Sequence, residues 1–165
     1  MSSKQEGTAE AKGESMQMDH TLRMLDERTL EVNLPNIIGY ERIAMDCSAS
    51  FARIIGFTKD RIEDLKTAVS EACLNAMEHG NKGRTDARVM LMMSFDDNSF
   101  NITISDEGEG IVELPEDPDI EKKIEQLQTP RGLGIFLIKK LVDHVEFNKD
   151  EGQGHVLRMV LRMTY

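Results

Sequence analysis

Phe100, Ile102 and Ile104 alternate with polar residues and lead, in the same parity, to Asp106. Side chains two apart on a strand share a face, so Asp106 falls on the apolar face that other elements must cover. A carboxylate in that place is either costly or functional. Just upstream, Val89, Leu91, Met93 and Phe95 alternate in the same way, and Asp96-Asp97-Asn98 between the two runs is turn chemistry, so the pair reads as a β-hairpin over about 87–106. A sheet that is apolar on one side needs a helical layer over it.

The rest of the chain supplies that layer. Leu30, Val32 and Leu34 alternate and stop at Pro35, a further strand. Asn36 is placed to cap a helix whose apolar spacing runs through Ile37, Tyr40, Ile43, Ala44, Cys47, Phe51, Ile54 and Ile55 to Gly56. A second amphipathic helix spans about Asp60 to His79, burying Ile62, Leu65, Val69, Ala72, Cys73, Ala76 and Met77 and stopping at Gly80. A third follows Gly134, with Leu133, Phe136, Leu137, Leu141 and Val142 as its buried set, before a closing hairpin from Val145 to Met163 that turns at Gly152-Gln153-Gly154. The order predicts an α+β two-layer sandwich: a mixed, mostly antiparallel sheet with three helices on one face. Residues 112–129 are acidic and contain proline, which reads as a mobile lid with a short helical piece near Ile120 to Leu127.

Residues 1–28 are assigned to a flexible tail, because the stretch up to His20 is rich in Ser, Gly, Glu, Gln and Lys with few apolar side chains, and residues 29–165 to one domain. The chain has 165 residues, 39% hydrophobic and 30% charged, enough for one core and too few for two. No apolar run approaches the roughly 20 residues of a membrane span, and the Met1 end has neither a basic leader nor an apolar signal core, so a cytoplasmic protein without a membrane partner is expected. Cys47 and Cys73 sit in helical apolar patterns without metal-type spacing and read as buried thiols. The net charge of −10 repels nucleic-acid backbones, which disfavours direct DNA binding and fits a protein partner with a basic face.

Three short motifs carry chemistry. Glu71 and Asn75 lie four residues apart on one helix and project from one side, suiting a base beside an oxygen ligand for Mg²⁺. Asp106-Glu107-Gly108-Glu109-Gly110 places an acceptor for an adenine amino group at a strand end, followed by bare backbone that lets a base approach. Arg131-Gly132-Leu133-Gly134 opens a helix, where free N–H groups and the positive end of the dipole favour phosphate. Taken singly these are a solvated helix carboxylate, an acidic turn and a common helix start; their order and spacing make a nucleotide site.

In that order the motifs resemble the conserved boxes of the GHKL ATPases (gyrase, Hsp90, histidine kinase and MutL types), whose Bergerat ATP-binding fold is the sandwich read above. The stretch from Asp60 to Cys73 is similar to the RsbW-type anti-sigma-factor serine kinases, and the resemblance runs from about Leu30 to the C-terminus. It implies that Asn75 supplies its amide oxygen to Mg²⁺, that Asp106 holds the adenine of ATP, and that Gly108 and Gly110 let the base lie on the backbone. It implies that Gly132, Leu133 and Gly134 wrap the phosphates, and that Arg131 contacts the γ-phosphate or stabilises the transition state. Glu71 is then the general base for a serine or threonine hydroxyl, or the activator of a water; the sequence leaves both open.

The implied function is an ATP-dependent serine/threonine kinase and anti-sigma factor that phosphorylates a STAS-domain antagonist and sequesters a sigma factor; RsbW-type proteins are commonly dimers, so a homodimer is expected, with an exposed face of the first strand and helix as the place to look for pairing. The alternative is a nucleotide-binding regulatory module that binds or activates a partner, such as a PP2C-type phosphatase, without phosphoryl transfer. Asn81-Lys82-Gly83 departs from the aromatic-containing pattern common in that family after this helix. His20, His144 and His155 receive no role.

Overall fold

The computed structural model describes residues 22–109, 130–150 and 154–163. Strands β1 (Leu22–Asp26) and β2 (Thr29–Pro35) lead into helices α1 (Glu41–Ile54) and α2 (Lys59–Asn75), and α2 runs on through a wide π turn at Ala76–Gly80. The hairpin β3 (Arg88–Phe95) and β4 (Ser99–Asp106) follows, then α3 (Pro130–Leu141), β5 (His144–Asp150) and β6 (Gly154–Arg162). The strands form one sheet in the order β1-β2-β3-β4-β6-β5, each described neighbour pair antiparallel. Helix α2 packs between α1 and α3 over one face of the sheet. The architecture is the α+β sandwich expected, and the proposed lid at 112–129 lies outside the described residues.

The hairpin follows the parity of its residues. On β4, Phe100, Ile102, Ile104 and Asp106 are all buried, while Ser99, Asn101, Thr103 and Ser105 between them are partly open to solvent. Val32 and Leu34 of β2, Val89, Leu91 and Met93 of β3, and Leu157, Met159 and Leu161 of β6 complete the covered face. Ile62, Leu65, Val69, Ala72 and Cys73 of α2 meet it from above, as their helical spacing requires. At the other end of the hairpin, Asp96 Oδ1 accepts from the backbone N–H groups of Asn98 (2.7 Å) and Ser99 (2.8 Å). These bonds, Asn98 foremost, hold the Asp96 carboxyl below the usual carboxylate range.

Three expectations are corrected. On α3 the buried set is Ile135, Ile138 and Val142, while Leu133, expected among it, is exposed and Phe136, Leu137 and Leu141 are only half-buried. Leu22–Asp26, assigned to the tail, is the edge strand β1: Arg28 N–H donates to Asp26 Oδ1 at 2.7 Å in the tight turn and lays the strand along β2. Asn36 does not cap α1. The helix starts only at Glu41, after Gly39 at φ 107°, a backbone angle that ends any regular helix through this point, and Glu41 accepts from Gly39 N–H at 2.5 Å in place of an N-terminal cap. As a result Ile37, Tyr40 and Ile43 are exposed, with Ile54 at 80%, and the face of α1 toward the core is made by the small residues Ala44, Ser48, Ala49 and Ala52 beside Phe51 and Cys47. Asn36 is instead buried, donating to the Arg84 carbonyl at 2.9 Å.

Candidate functional site

Glu71 and Asn75 occupy the last turns of α2, half-buried and on one side. Thr58 starts this helix by accepting from Arg61 N–H at 3.4 Å. Arg61 then ties the far end of α3 down, through Nη1 to the Leu141 carbonyl at 3.2 Å and Nη2 to Asp143 Oδ2 at 2.5 Å. With α3 held there, its first turns lie over Glu71 and Asn75. The contact residue is Gly134: a Cβ on it would sit 2.5 Å from Glu71 Oε2 and 3.5 Å from Asn75 Nδ2. No side chain larger than hydrogen fits without moving the carboxylate. Gly132 is buried beside it and Leu133 faces outward, half exposed. The structure therefore brings together Glu71, Asn75 and Gly134 in the first turns of α3, with Leu133 turned to solvent.

Asp106 forms the centre of a second group. It is 6% exposed at the end of β4, where burial of an ionisable group needs compensating hydrogen bonds. Oδ1 accepts from Gly108 N–H at 2.8 Å and His155 N–H at 3.2 Å, and His155 Nδ1 lies 3.2 Å from both carboxylate oxygens. Gly80 abuts this carboxylate so closely that a Cβ there would overlap it, and a Cβ on Gly108 would overlap the Gly80 carbonyl. Gly80 was expected only as a helix stop; it also makes room for Asp106.

The π turn joins the two groups. Asn75 directly precedes Ala76–Gly80, and Asn81 N–H bonds back to the Ala76 carbonyl at 2.7 Å. Turns of this width are concentrated at functional sites. The Asn81 side chain, fully buried, locks the exit: its Nδ2 donates to the Arg88 carbonyl (2.9 Å) and to Asn36 Oδ1 (3.1 Å), and its Oδ1 accepts from Glu107 N–H at 2.8 Å. One amide thus fixes the end of the π turn against β3 and the residue after Asp106. Lys82, at φ 51°, and Gly83, at φ 68°, take the sharp bend that follows.

Of the remaining predicted residues, Gly110 and the side chain of Arg131 lie outside the described residues. Sequence reasoning missed Asn81 and His155. A signal for His155 exists: counting back in twos from Leu161, Met159 and Leu157 puts it on the covered face, the parity that singled out Asp106. Cys73 is inert chemistry at the core end of the site; burial, with the charge of Glu41 adding to it, pushes its thiol up to about 12. Among the described residues no three His, Cys, Asp or Glu side chains gather as a metal centre. The oxygens of Asn75 and Glu71 are hard donors, which suits Mg²⁺ held by one or two protein oxygens and a substrate's phosphates rather than by a protein cage.

A carboxylate and a carboxamide near the end of one helix thus face the start of another at Gly134, and the wide turn after Asn75 leads to a buried strand-end aspartate. The model of the histidine kinase-like ATPase domain matches residues 38–161. The chain belongs to this family. Among its relatives are proteins named serine-protein kinase RsbW: that of Bacillus thuringiensis is 32% identical over 128 residues, covering 74% of this chain and 79% of its own. That of Listeria innocua is 32% identical over 146 residues, covering 81% and 87%. The crystal structure of the RsbU and RsbW domains of a Mycobacterium tuberculosis protein aligns at a TM-score of 0.59 and 20% identity, over 81% of this chain and 32% of that longer one. This last likeness speaks for the fold of the ATPase domain. Among the described residues no helix is long and apolar enough to cross a membrane.

Proposed function

We propose that the protein is a serine/threonine kinase that uses Mg-ATP, and an anti-sigma factor acting on a STAS-domain antagonist in a partner switch. The observation that carries this reading is the junction of Glu71, Asn75 and Gly134, because it sets a base and a hard oxygen ligand under a glycine turn, a grouping that a pure binding module does not need. The RsbW relatives support the protein-kinase reading over water activation.

ATP would lie with its adenine amino group on Asp106 and its base along Gly108 and Gly110. Gly132, Leu133 and Gly134 would wrap the phosphates at the start of α3, where the N–H of Gly132, in the first turn, is free of the helix ladder, with Arg131 adding its charge. Asn75 would hold Mg²⁺, which neutralises phosphate charge when bound. Glu71 accepts the proton of the incoming hydroxyl while that oxygen bonds to the γ-phosphorus, the bond to the bridging β–γ oxygen breaks, and ADP leaves. A nucleotide-dependent choice between a sigma factor and the antagonist follows if ATP and ADP forms differ in affinity for the two. We place the protein in the cytoplasm as a homodimer.

The test is transfer of label from γ-³²P-ATP with Mg²⁺ to the STAS protein encoded nearest this gene. Label on a serine or threonine of that protein supports the kinase. Tight ATP binding with no transfer to it would point to the regulatory module acting on a partner such as a PP2C-type phosphatase.

A further inference from the structure

His155 is the one side chain that touches both oxygens of Asp106 among the described residues, and its own environment is unusual. Its side chain is 16% exposed, and Nε2 is buried without a hydrogen-bond partner among the described residues. A buried polar atom left unpaired calls for an explanation. A carboxylate can only accept, so the ring nitrogen facing it, Nδ1, is the one that carries the hydrogen. The ring is thereby committed to Asp106 at the expense of Nε2.

The hydrogen bonds on the two carboxylate oxygens are unequal. Oδ1 meets three donors, Gly108 N–H, His155 N–H and His155 Nδ1. Among the described residues Oδ2 meets only Nδ1. With a carboxylate oxygen offering about two lone-pair directions, Oδ1 is filled and Oδ2 keeps capacity for one further donor. Gly80 packs against Oδ2 itself, so that a Cβ there would overlap it, and Gly108 lies beside Oδ1; glycine at both positions keeps side chains off the two oxygens.

We infer that His155 is the positioning residue for base recognition: it fixes the Asp106 carboxylate so that Oδ2 is presented to an exocyclic amino donor, and so selects a 6-amino purine over a 6-oxo purine. The inference rests on the reading of Asp106 as the base-binding residue. A 6-oxo purine would set an acceptor against an oxygen that cannot turn away, which costs both groups their partners. A carboxylate free to rotate would lose that discrimination along with affinity.

Equilibrium binding of fluorescent ATP and GTP analogues with Mg²⁺ to the full chain, with phosphotransfer at saturating ATP, tests this in the wild type, His155→Leu and His155→Asn. Asparagine can offer Nδ2 near the place of Nδ1, whereas leucine offers no donor. The expected result is ATP affinity weakened roughly tenfold in His155→Leu, a smaller ratio of ATP to GTP affinity, and transfer at saturation within about twofold of wild type. His155→Asn should recover most of the affinity and of the ratio. A wild type that binds ATP while His155→Leu keeps both its affinity and its ATP to GTP ratio would overturn the inference alone. Asn and Leu variants equally impaired would also overturn it, since that marks a packing role. A wild type that binds no adenine nucleotide would overturn the Asp106 reading beneath it.

Discussion

Gly134 of α3 stands against Glu71 of α2 so closely that a methyl group on it would lie 2.5 Å from Oε2. The atom it would meet is the far end of a flexible side chain, so the collision can be relieved by moving the carboxylate and not the helix. Gly134→Ala should therefore keep or slightly raise stability, since alanine is the better helix former by up to about 1 kcal/mol. Displacing a base by about an ångström costs on the order of 100-fold in rate. Urea midpoints and phosphotransfer rates measured together check this; a rate near wild type would mean that Glu71 need not stand where it does.

Gly80 and Gly108 make a contrasting pair. A methyl at Gly108 meets the Gly80 backbone carbonyl, which cannot step aside, whereas a methyl at Gly80 meets the Asp106 carboxylate. Gly108→Ala is expected to lower stability by about 1–3 kcal/mol. Gly80→Ala should also lose stability, because the methyl meets the Asp106 side chain down to its Cβ, and should in addition weaken ATP affinity roughly tenfold or more. Equal losses of stability in both, with unchanged affinity, would speak against a ligand-facing role for Asp106.

Asn81→Ala deletes an amide that serves the Arg88 carbonyl, Asn36 Oδ1 and Glu107 N–H at once. Stranding several buried polar groups costs about 2–4 kcal/mol. The expected signature in urea is a lower midpoint at unchanged slope. A loss below about 0.5 kcal/mol would show that water replaces the amide without penalty.

Much of this was legible because it is periodic. The alternation through Phe100, Ile102 and Ile104 located both the sheet face and Asp106, and the helical spacing from Ile62 to Met77 placed Glu71 and Asn75. What escaped depends on contacts between distant segments. Asn36 has the chemistry of a cap, but Gly39 interrupts the helix and its amide is used by Arg84 and Asn81. The apolar Ile37, Tyr40 and Ile43 fit a helical stripe that the core does not use, because Ala44, Ser48 and Ala52 let α1 approach closely. His155 was readable by parity, yet its partner lies 49 residues away.

Cys73 gives a pH-dependent prediction. Its thiol is pushed from the ordinary 9.0 up to about 12 by burial first and by Glu41 second. A thiol whose folded pKa is raised favours the folded state fully below the unfolded value, and that contribution is lost as pH rises from about 9 through 12. Native protein at pH 8 should leave Cys73 unmodified by a thiol reagent, with labelling of this position appearing only in urea. Rapid modification in the folded state would contradict its burial.

The most direct measurement compares Glu71→Gln with wild type for ATP binding and for phosphotransfer to the STAS protein in the same preparation. Glutamine keeps the size and one acceptor oxygen but cannot take a proton. The expected result is ATP affinity within about threefold of wild type and transfer reduced by roughly 100-fold or more. Undiminished transfer by a Glu71→Gln protein that binds ATP normally would contradict it.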